Sequence, residues 1–410
     1  MSKVSKIVLL IIIMVISISY VFATESMLPQ DNVTYNMVTN RYSKTSARIL
    51  SMGGAGIAVR SNQDALYVNP ASLGEKGLVW NAPNVAFTLY NTRKLVDTGI
   101  IENYPTIKDD IGKYTQALYD ILSGSGNNKL ATVDAGVGAK WGRFAFAVDS
   151  QINLNTYLAP GNQAINLAVI PQVDVVASAG LGFRFFRSSP VNFDIGIASR
   201  FNIRAYYENV KISTIMDAIE NSSDFVQSLQ TQKQVMVGYS IPIDIGFNLN
   251  VPGGVTFSAV ARNINGNFKF SHYENLKDAQ QDANNVINSK LIVESPMSVD
   301  VGFGWKPNWG LSWLANPNIA VDVVDVISLT KGFSTTNLLA HMRAGIEVEI
   351  LKLLELRAGI NQGYVSIGAG FNLMNIIHLE ASYYRLEFGE KLLDKPVDAL
   401  TIRMNLFWER

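Results

Sequence analysis

The chain has 410 residues, 34 Lys+Arg against 34 Asp+Glu, no cysteine, and 48% hydrophobic but only 17% charged residues. Charge this scarce against the ~25% usual in soluble domains, with no apolar run near the ~18 residues of a membrane helix after the amino terminus, points to a transmembrane β-barrel, whose lipid-facing residues are dispersed one in two. The balanced charge lacks the basic excess that a nucleic-acid partner would need, and the missing cysteines exclude disulfides, thiolate metal sites and cysteine nucleophiles.

The first element in chain order reads as an export signal. Lys3 and Lys6 precede an almost wholly aliphatic run, Ile7 to Ile18, and Val21-Phe22-Ala23 places small residues where a signal peptidase inspects them. The spacing predicts a signal peptide over 1–23, cleaved before Thr24, with an uncleaved anchor as the alternative. Next comes Ser51-Met52-Gly53-Gly54-Ala55-Gly56-Ile57-Ala58-Val59, then Asp64-Ala65-Leu66-Tyr67-Val68-Asn69-Pro70-Ala71-Ser72-Leu73. Gly53, Gly54 and Gly56 permit close approach of the backbone to a neighbour, and Asn69-Pro70 marks a fixed turn. A dinucleotide-binding loop is a weak alternative, because no strand precedes the glycines and no βαβ unit follows.

From Ala82 onward the chain alternates apolar and polar residues, the period of a half-buried strand. Fourteen such strands are expected: Ala82–Thr92, Thr132–Trp141, Arg143–Asn155, Val173–Phe186, Val191–Tyr206, Val235–Asn250, Val255–Phe268, Ile292–Trp305, Asn318–Leu329, Leu338–Ile350, Leu354–Asn361, Tyr364–Leu373, Ile376–Phe388 and Val397–Trp408. Many of them match the ~9–11 residues needed to cross a bilayer at a tilt. Long connections (Arg93–Ala131, Tyr207–Gln234, Ser271–Leu291) alternate with tight turns at Trp141-Gly142-Arg143, Arg187–Pro190 and Pro252-Gly253-Gly254. Short periplasmic turns and long outer loops are the asymmetry of an outer-membrane barrel. Aromatics near strand ends (Trp80, Trp141, Tyr206, Tyr207, Trp305, Tyr383, Tyr384 and Trp408) suggest interfacial girdles. The chain departs from the usual aromatic finish, since Glu409 and Arg410 follow Trp408.

Pro242 interrupts the most regular strand. A proline gives no N–H to a ladder, and a closed barrel has no edges on which to hide one. The strand is therefore expected to bulge or bend at Pro242, leaving a neighbouring carbonyl without its usual partner, either as a local bulge near an interface or as a break in the wall.

The segment MGGAGIAVRSNQDALYVNPASL resembles the amino-terminal hatch signature of the long-chain fatty-acid transporter (FadL-type) superfamily of outer-membrane barrels. The resemblance implies an all-β, transmembrane antiparallel barrel of about 14 strands (81–410) plugged by a hatch (24–80). Gly53, Gly54, Gly56, Asn69, Pro70 and Ala71 would then form the hatch and gate, and small hydrophobic compounds would be the ligand. The Leu356–Leu373 hairpin and Leu379–Gly389 resemble barrels related to gliding-associated secretion and pilus assembly. The alternative is therefore a non-transporting scaffold or shuttle for secretion or surface-protein assembly, with a protein partner.

Two loop stretches have helical periodicity: Thr106–Leu122, and a stripe of Ile212, Ile215, Ile219, Val226 and Leu229. These read as helices capping the barrel, or as an apolar outer groove. Asp149, Arg184, Asp194, Arg200, Arg204, Asp244, Asp300, Arg343, Glu347, Arg357, Glu380 and Arg403 are expected to face the lumen, mostly as ion pairs holding the hatch. His272, His341 and His378 are widely spaced, with no HExxH or GxSxG. The sequence thus predicts no catalytic residues, no metal and no cofactor. The expected location is the outer membrane of a diderm bacterium, with the lipid bilayer as the first partner.

Overall fold

The computed structural model describes residues 40–59, 64–75, 77–99, 116–117, 119–121, 128–158, 167–207, 210–211, 235–274, 276–281, 291–307, 314–331, 334–374, 376–388 and 392–409. Its core is one closed antiparallel barrel of fourteen staves. They are β1 (Leu78–Tyr90), β2 (Asn128–Trp141), β3 (Phe144–Leu158), β4 (Leu167–Phe185), β5 (Asn192–Tyr207), β6 (Val235–Ser240 and Ile243–Val251), β7 (Val255–Ile264 and Phe268–Tyr273), β8 (Leu291–Val293 and Ser298–Trp305), β9 (Ala315–Val323), β10 (Met342–Ile350), β11 (Leu354–Asn361), β12 (Tyr364–Leu373), β13 (Ile377–Glu387) and β14 (Pro396–Glu409). Each stave pairs with the next, and β1 pairs with both β2 and β14, which closes the ring. A two-residue strand, Val210–Lys211, also pairs with the start of β4.

The two faces of each stave explain the closure. Along β5, Ile195, Ile197, Phe201 and Ile203 are exposed, while Asp194, Arg200, Asn202 and Arg204 are buried. Along β14, Ile402, Met404 and Trp408 are exposed, and Thr401, Arg403 and Asn405 are buried. Apolar residues outside and charges inside invert the order of a soluble protein; only hydrocarbon outside makes that distribution favourable. Most inter-strand backbone bonds are then satisfied within the wall, as a bilayer requires. Trp80, Trp141, Trp305 and Trp408 all point outward at the rim that carries the short turns, and Trp80 stands directly opposite Trp408 across the β1–β14 seam. Tyr206 and Tyr384, expected in the girdle, are instead buried inside, at 0% and 2% exposure.

All fourteen expected strands have a counterpart. Two boundaries are corrected. Residues 326–329 of the ninth expected strand are helical, within helix Val326–Lys331, as are residues 338–341 of the tenth, which belong to helix Thr335–His341. The cause of the first is Asp325. It adopts a left-handed φ of 50°, gives its N–H to the Asp300 carboxylate, and its own carboxylate accepts from Ser328 N–H at the helix start. Val323–Leu329 is apolar enough to continue a strand, so the capping geometry overrides the pattern. Of the two expected loop helices, residues 116–117 and 119–121 are helical; the rest of the first, the whole of the second, and the signal segment lie outside the described residues.

Candidate functional site: the inner segment and the lumen

Residues 40–59 and 64–75 run inside the barrel before β1 begins. Helix α1 (Ala47–Ser51) starts at Ser46, whose Oγ accepts from Ile49 N–H. It stops at Gly53 and Gly54, with φ of 68° and 81°, a left-handed ending that favours residues without Cβ. Helix α2 (Ala65–Val68) leads into a 3-10 turn, Pro70–Gly74. Asn69 caps that turn: its Oδ1 accepts from Ala71 N–H, and Pro70 occupies the first position, where no N–H is needed. The Asn69 amide donates to the Ile57 carbonyl at 2.9 Å and to Asn248 Oδ1 on β6 at 2.7 Å. The glycine motif and the Asn-Pro-Ala motif are thereby tied to each other and to the wall.

The wall meets this segment with glycines. Gly182, Gly196 and Gly246 are consecutive cross-strand neighbours on β4, β5 and β6, and the Asn69–Gly74 backbone lies directly on them. A Cβ at Gly196 would overlap the Pro70 carbonyl, and one at Gly182 would overlap Gly74. Gly345 and Gly359, opposite each other on β10 and β11, receive Met52 and Gly53 in the same way; Gly302 and Gly304 receive Ile57 and Ala58. The sequence reading missed these seats. Their signal was available: glycine recurs on the inward face of strands that otherwise carry polar side chains there.

Charges complete the attachment. An unbroken series starts on the inner segment, crosses the wall and returns. Arg48 bonds Glu347 (2.5 and 2.7 Å), Glu347 bonds Arg357 (2.7 Å), Arg357 bonds Glu380 (2.9 Å), Glu380 meets Arg403 (3.5 Å), and Arg403 grips Asp64 (2.9 Å to each oxygen). Elsewhere Lys44 pairs with Asp149 (2.7 Å), Arg184 with Glu75 (2.8 Å), and Arg262 donates to the Tyr67 and Val68 carbonyls. The lumenal placement expected for the twelve charged residues holds, and Asp149, Arg184, Arg204, Glu347 and Arg403 bond the inner segment directly. Lys44, Arg48, Asp64 and Glu75, their partners, were not singled out in the sequence, because nothing in an irregular segment marks which way a charge points. Glu355, His378 and Glu380 also come together, with ligand atoms within 4.8 Å of one another. Arg357 already bonds both carboxylates, so the group is the branch point of the ion series.

Above the inner segment, toward the rim with the longer loops, lies a cavity of about 470 Å³ whose lining includes Arg41, Lys129, Arg200, Arg343 and Tyr384. Beside it, on the inner face of β4–β8 at their long-loop ends, Ile170, Tyr206, Met236, Phe268, Phe270 and Val293 form an apolar cluster, all buried. Phe268 and Phe270 stack at 5.5 Å, and the Arg204 guanidinium lies 4.4 Å from the Phe268 ring centre. A wholly aqueous pore has no use for such a surface.

Pro242 sits in the gap between the two halves of β6, facing inward. On the β5 side the register runs unshifted across it. Its carbonyl accepts from Arg200 N–H at 3.1 Å and from Ser199 Oγ at 3.3 Å, but proline cannot return a bond to the strand. On the other side the ladder shifts, and β7 and β8 are interrupted close by, at 265–267 and 294–297. Side-chain amides bridge these gaps: Asn263 Nδ2 donates to the Ser295 carbonyl at 2.9 Å, and Asn267 Oδ1 accepts from Ser295 N–H at 3.1 Å. Three adjacent staves thus lose their regular ladder in one region.

No protein-family model matches the chain, and no curated protein matches its sequence. Solved structures do resemble it. The Pseudomonas putida toluene transporter TodX is 10% identical over 91% of this chain and 99% of its own, with a TM-score of 0.43. The Ralstonia pickettii toluene transporter TbuX is 11% identical over 91% and 98%, with a TM-score of 0.43. A Pseudomonas aeruginosa FadL homologue is 8% identical over 89% and 98%, with a TM-score of 0.40. The resemblance is to FadL-type channels.

Proposed function

We propose that this barrel is an outer-membrane channel for small hydrophobic compounds, with residues 24–80, exported behind a signal peptide (1–23), as its hatch. The observation that carries the reading is the apolar cluster around Phe268 and Phe270, placed inside the lumen where a channel for polar solutes would be hydrophilic. A hydrophobic solute that parts these buried side chains would gain ~25 cal/mol per Å² of its own apolar surface removed from water. The inner segment then obstructs its path, so passage needs movement of the part that carries Gly53, Gly54, Gly56, Asn69, Pro70 and Ala71. The irregular wall around Pro242 supplies a sideways exit toward the bilayer, where an apolar solute is at home.

Uptake of radiolabelled toluene and of a hydrophilic sugar by cells producing the full-length protein tests this. Toluene uptake should exceed that of cells without the protein, and Phe268→Ser with Phe270→Ser should abolish most of the excess. Equal sugar and toluene permeation, or no loss in the double variant, would refute the hydrophobic cargo.

A further inference from the structure

Among the described residues, one lumen-facing acid–base pair of the wall lies in register but is unmade. Asp322 on β9 and Arg343 on β10 stand directly opposite each other, face the same lumen and carry opposite charges. Such neighbours ordinarily join across a sheet. Arg184, Arg200, Arg204, Arg262, Arg357 and Arg403 each hold a carboxylate. Asp322 and Arg343 do not: among the described residues, Arg343 makes no ion pair or side-chain hydrogen bond, and its Nε is buried without a partner.

The inner segment keeps them apart. Asp322 Oδ2 accepts from the Gly56 and Ile57 N–H groups at 2.6 and 3.0 Å, while Oδ1 has no partner. Arg343 lies against Gly54, close enough that a Cβ there would stand 3.0 Å from Nη1. Residues 54–57 therefore occupy the carboxylate and crowd the guanidinium together.

We infer that Asp322 and Arg343 are a gating pair for the proposed transport. With the inner segment seated, Asp322 holds it and Arg343 waits; when residues 54–57 withdraw, the two side chains close on each other across the β9–β10 ladder. The wall thereby recovers, in the open state, part of what it loses when the two backbone N–H groups leave. Arg343 acts on the displaced state alone, so its removal shifts the equilibrium toward the seated one; a coupling of ordinary size moves such a population roughly 5- to 150-fold. The inference rests on the hatch reading but not on the nature of the cargo.

The chain has no cysteine, so Ile57→Cys, at a position 3% exposed when seated, gives a unique reporter. Its modification by a small thiol reagent in membrane vesicles measures displacement without any hydrophobic compound present. Adding Arg343→Gln should slow modification at least about fivefold and leave the heat resistance of the barrel unchanged; Arg343→Lys should restore most of the rate. The inference is overturned if Arg343→Gln leaves the rate unchanged or raises it, if the reporter is never modified in the parent, or if Arg343→Gln lowers heat resistance, since Arg343 would then be bonded in the seated state. A barrel that shows the predicted rates yet carries no toluene would keep the gating pair and lose only the hydrophobic cargo.

Discussion

Arg403 and Asp64, 339 residues apart, face each other through two parallel hydrogen bonds of 2.9 Å, one from each terminal guanidinium nitrogen. This planar, two-pronged contact fixes α2 of the inner segment to the last stave of the wall, and both groups are nearly out of reach of water, at 1% and 4% exposure. Removing one partner of a buried pair typically costs ~3–5 kcal/mol, because the other charge is stranded. Here Glu380 softens the loss. Asp64→Asn should therefore loosen the inner segment by less than that figure. Limited proteolysis of residues 40–77 should accelerate while the folded barrel still resists SDS at room temperature. Unchanged proteolysis would mean that the glycine seats alone hold the segment.

The same contact sets a pH dependence. Burial pushes the Asp64 carboxyl up, but the Arg403 guanidinium, through its charge and its hydrogen bonds, more than reverses this and holds it well below the usual carboxylate range. A carboxylate with a depressed folded-state pKa contributes stability above its unfolded pKa of ~4 and loses it as pH falls through the folded value. The Asp64 contact should thus persist unaltered from pH 8 to about 5 and weaken only in stronger acid. Proteolysis of the inner segment in the parent, compared with Asp64→Asn, should differ by a constant ratio over that interval. A ratio that collapses between pH 7 and 5 would contradict the assignment.

Gly196→Val should unseat the Asn69–Ala71 turn, since even a Cβ at Gly196 overlaps the Pro70 carbonyl. The stave itself should tolerate the change, because valine suits a strand. Modification of the Ile57→Cys reporter should rise, and the barrel should still fold. If Gly196→Val leaves the reporter protected, the turn has another place to rest.

Pro242→Val supplies the N–H that β6 lacks opposite Arg200. A net gain of about 1 kcal/mol is the size expected of one recovered backbone bond, seen as a higher temperature for loss of the SDS-resistant form. Slower release of toluene should accompany it if the irregular wall is the exit. Greater stability with unchanged release would separate the two roles.

Sidedness is testable with single cysteines in the parent. Ser188 lies in the β4–β5 turn and Asp394 in the β13–β14 loop, at opposite rims, and both are exposed. A membrane-impermeant maleimide should label Asp394→Cys on intact cells and leave Ser188→Cys untouched. The reverse pattern would invert the barrel.

The number of staves was legible because each stave obeys one strong rule, alternation, and the lipid-facing half of each is visible as Ile195, Ile197, Phe201 or Ile402. Gly53, Gly54, Gly56 and Asn69-Pro70-Ala71 stand out in the sequence as motifs; what they touch does not. Asn69 meets Ile57 and Asn248, and no local pattern encodes a partner 179 positions away. Pro242 stands out in the sequence because proline cannot donate to a ladder, and it lies in the gap between the two halves of β6. The accompanying breaks in β7 and β8 carry ordinary residues such as Asn265 and Ser295, whose behaviour depends on their neighbours. Helix 326–331 escaped for a related reason: Asp325 owes its turn to Asp300, a stave away.

The rows of bare backbone at Gly182, Gly196 and Gly246 and at Gly345 and Gly359 bear on how the molecule is built. The seam of the ring joins β1 to β14, the first and last staves in the chain, whereas the inner segment precedes both. Local withdrawal of a few residues aside, threading the whole of such a stretch into a finished ring would slide it past the charged residues on every side. We expect the segment to lie in place while the sheet is still an open ribbon, with the staves curling around it as a casting forms around its core. The order of assembly is in this way written into the absence of side chains: contents first, then wall, then seam.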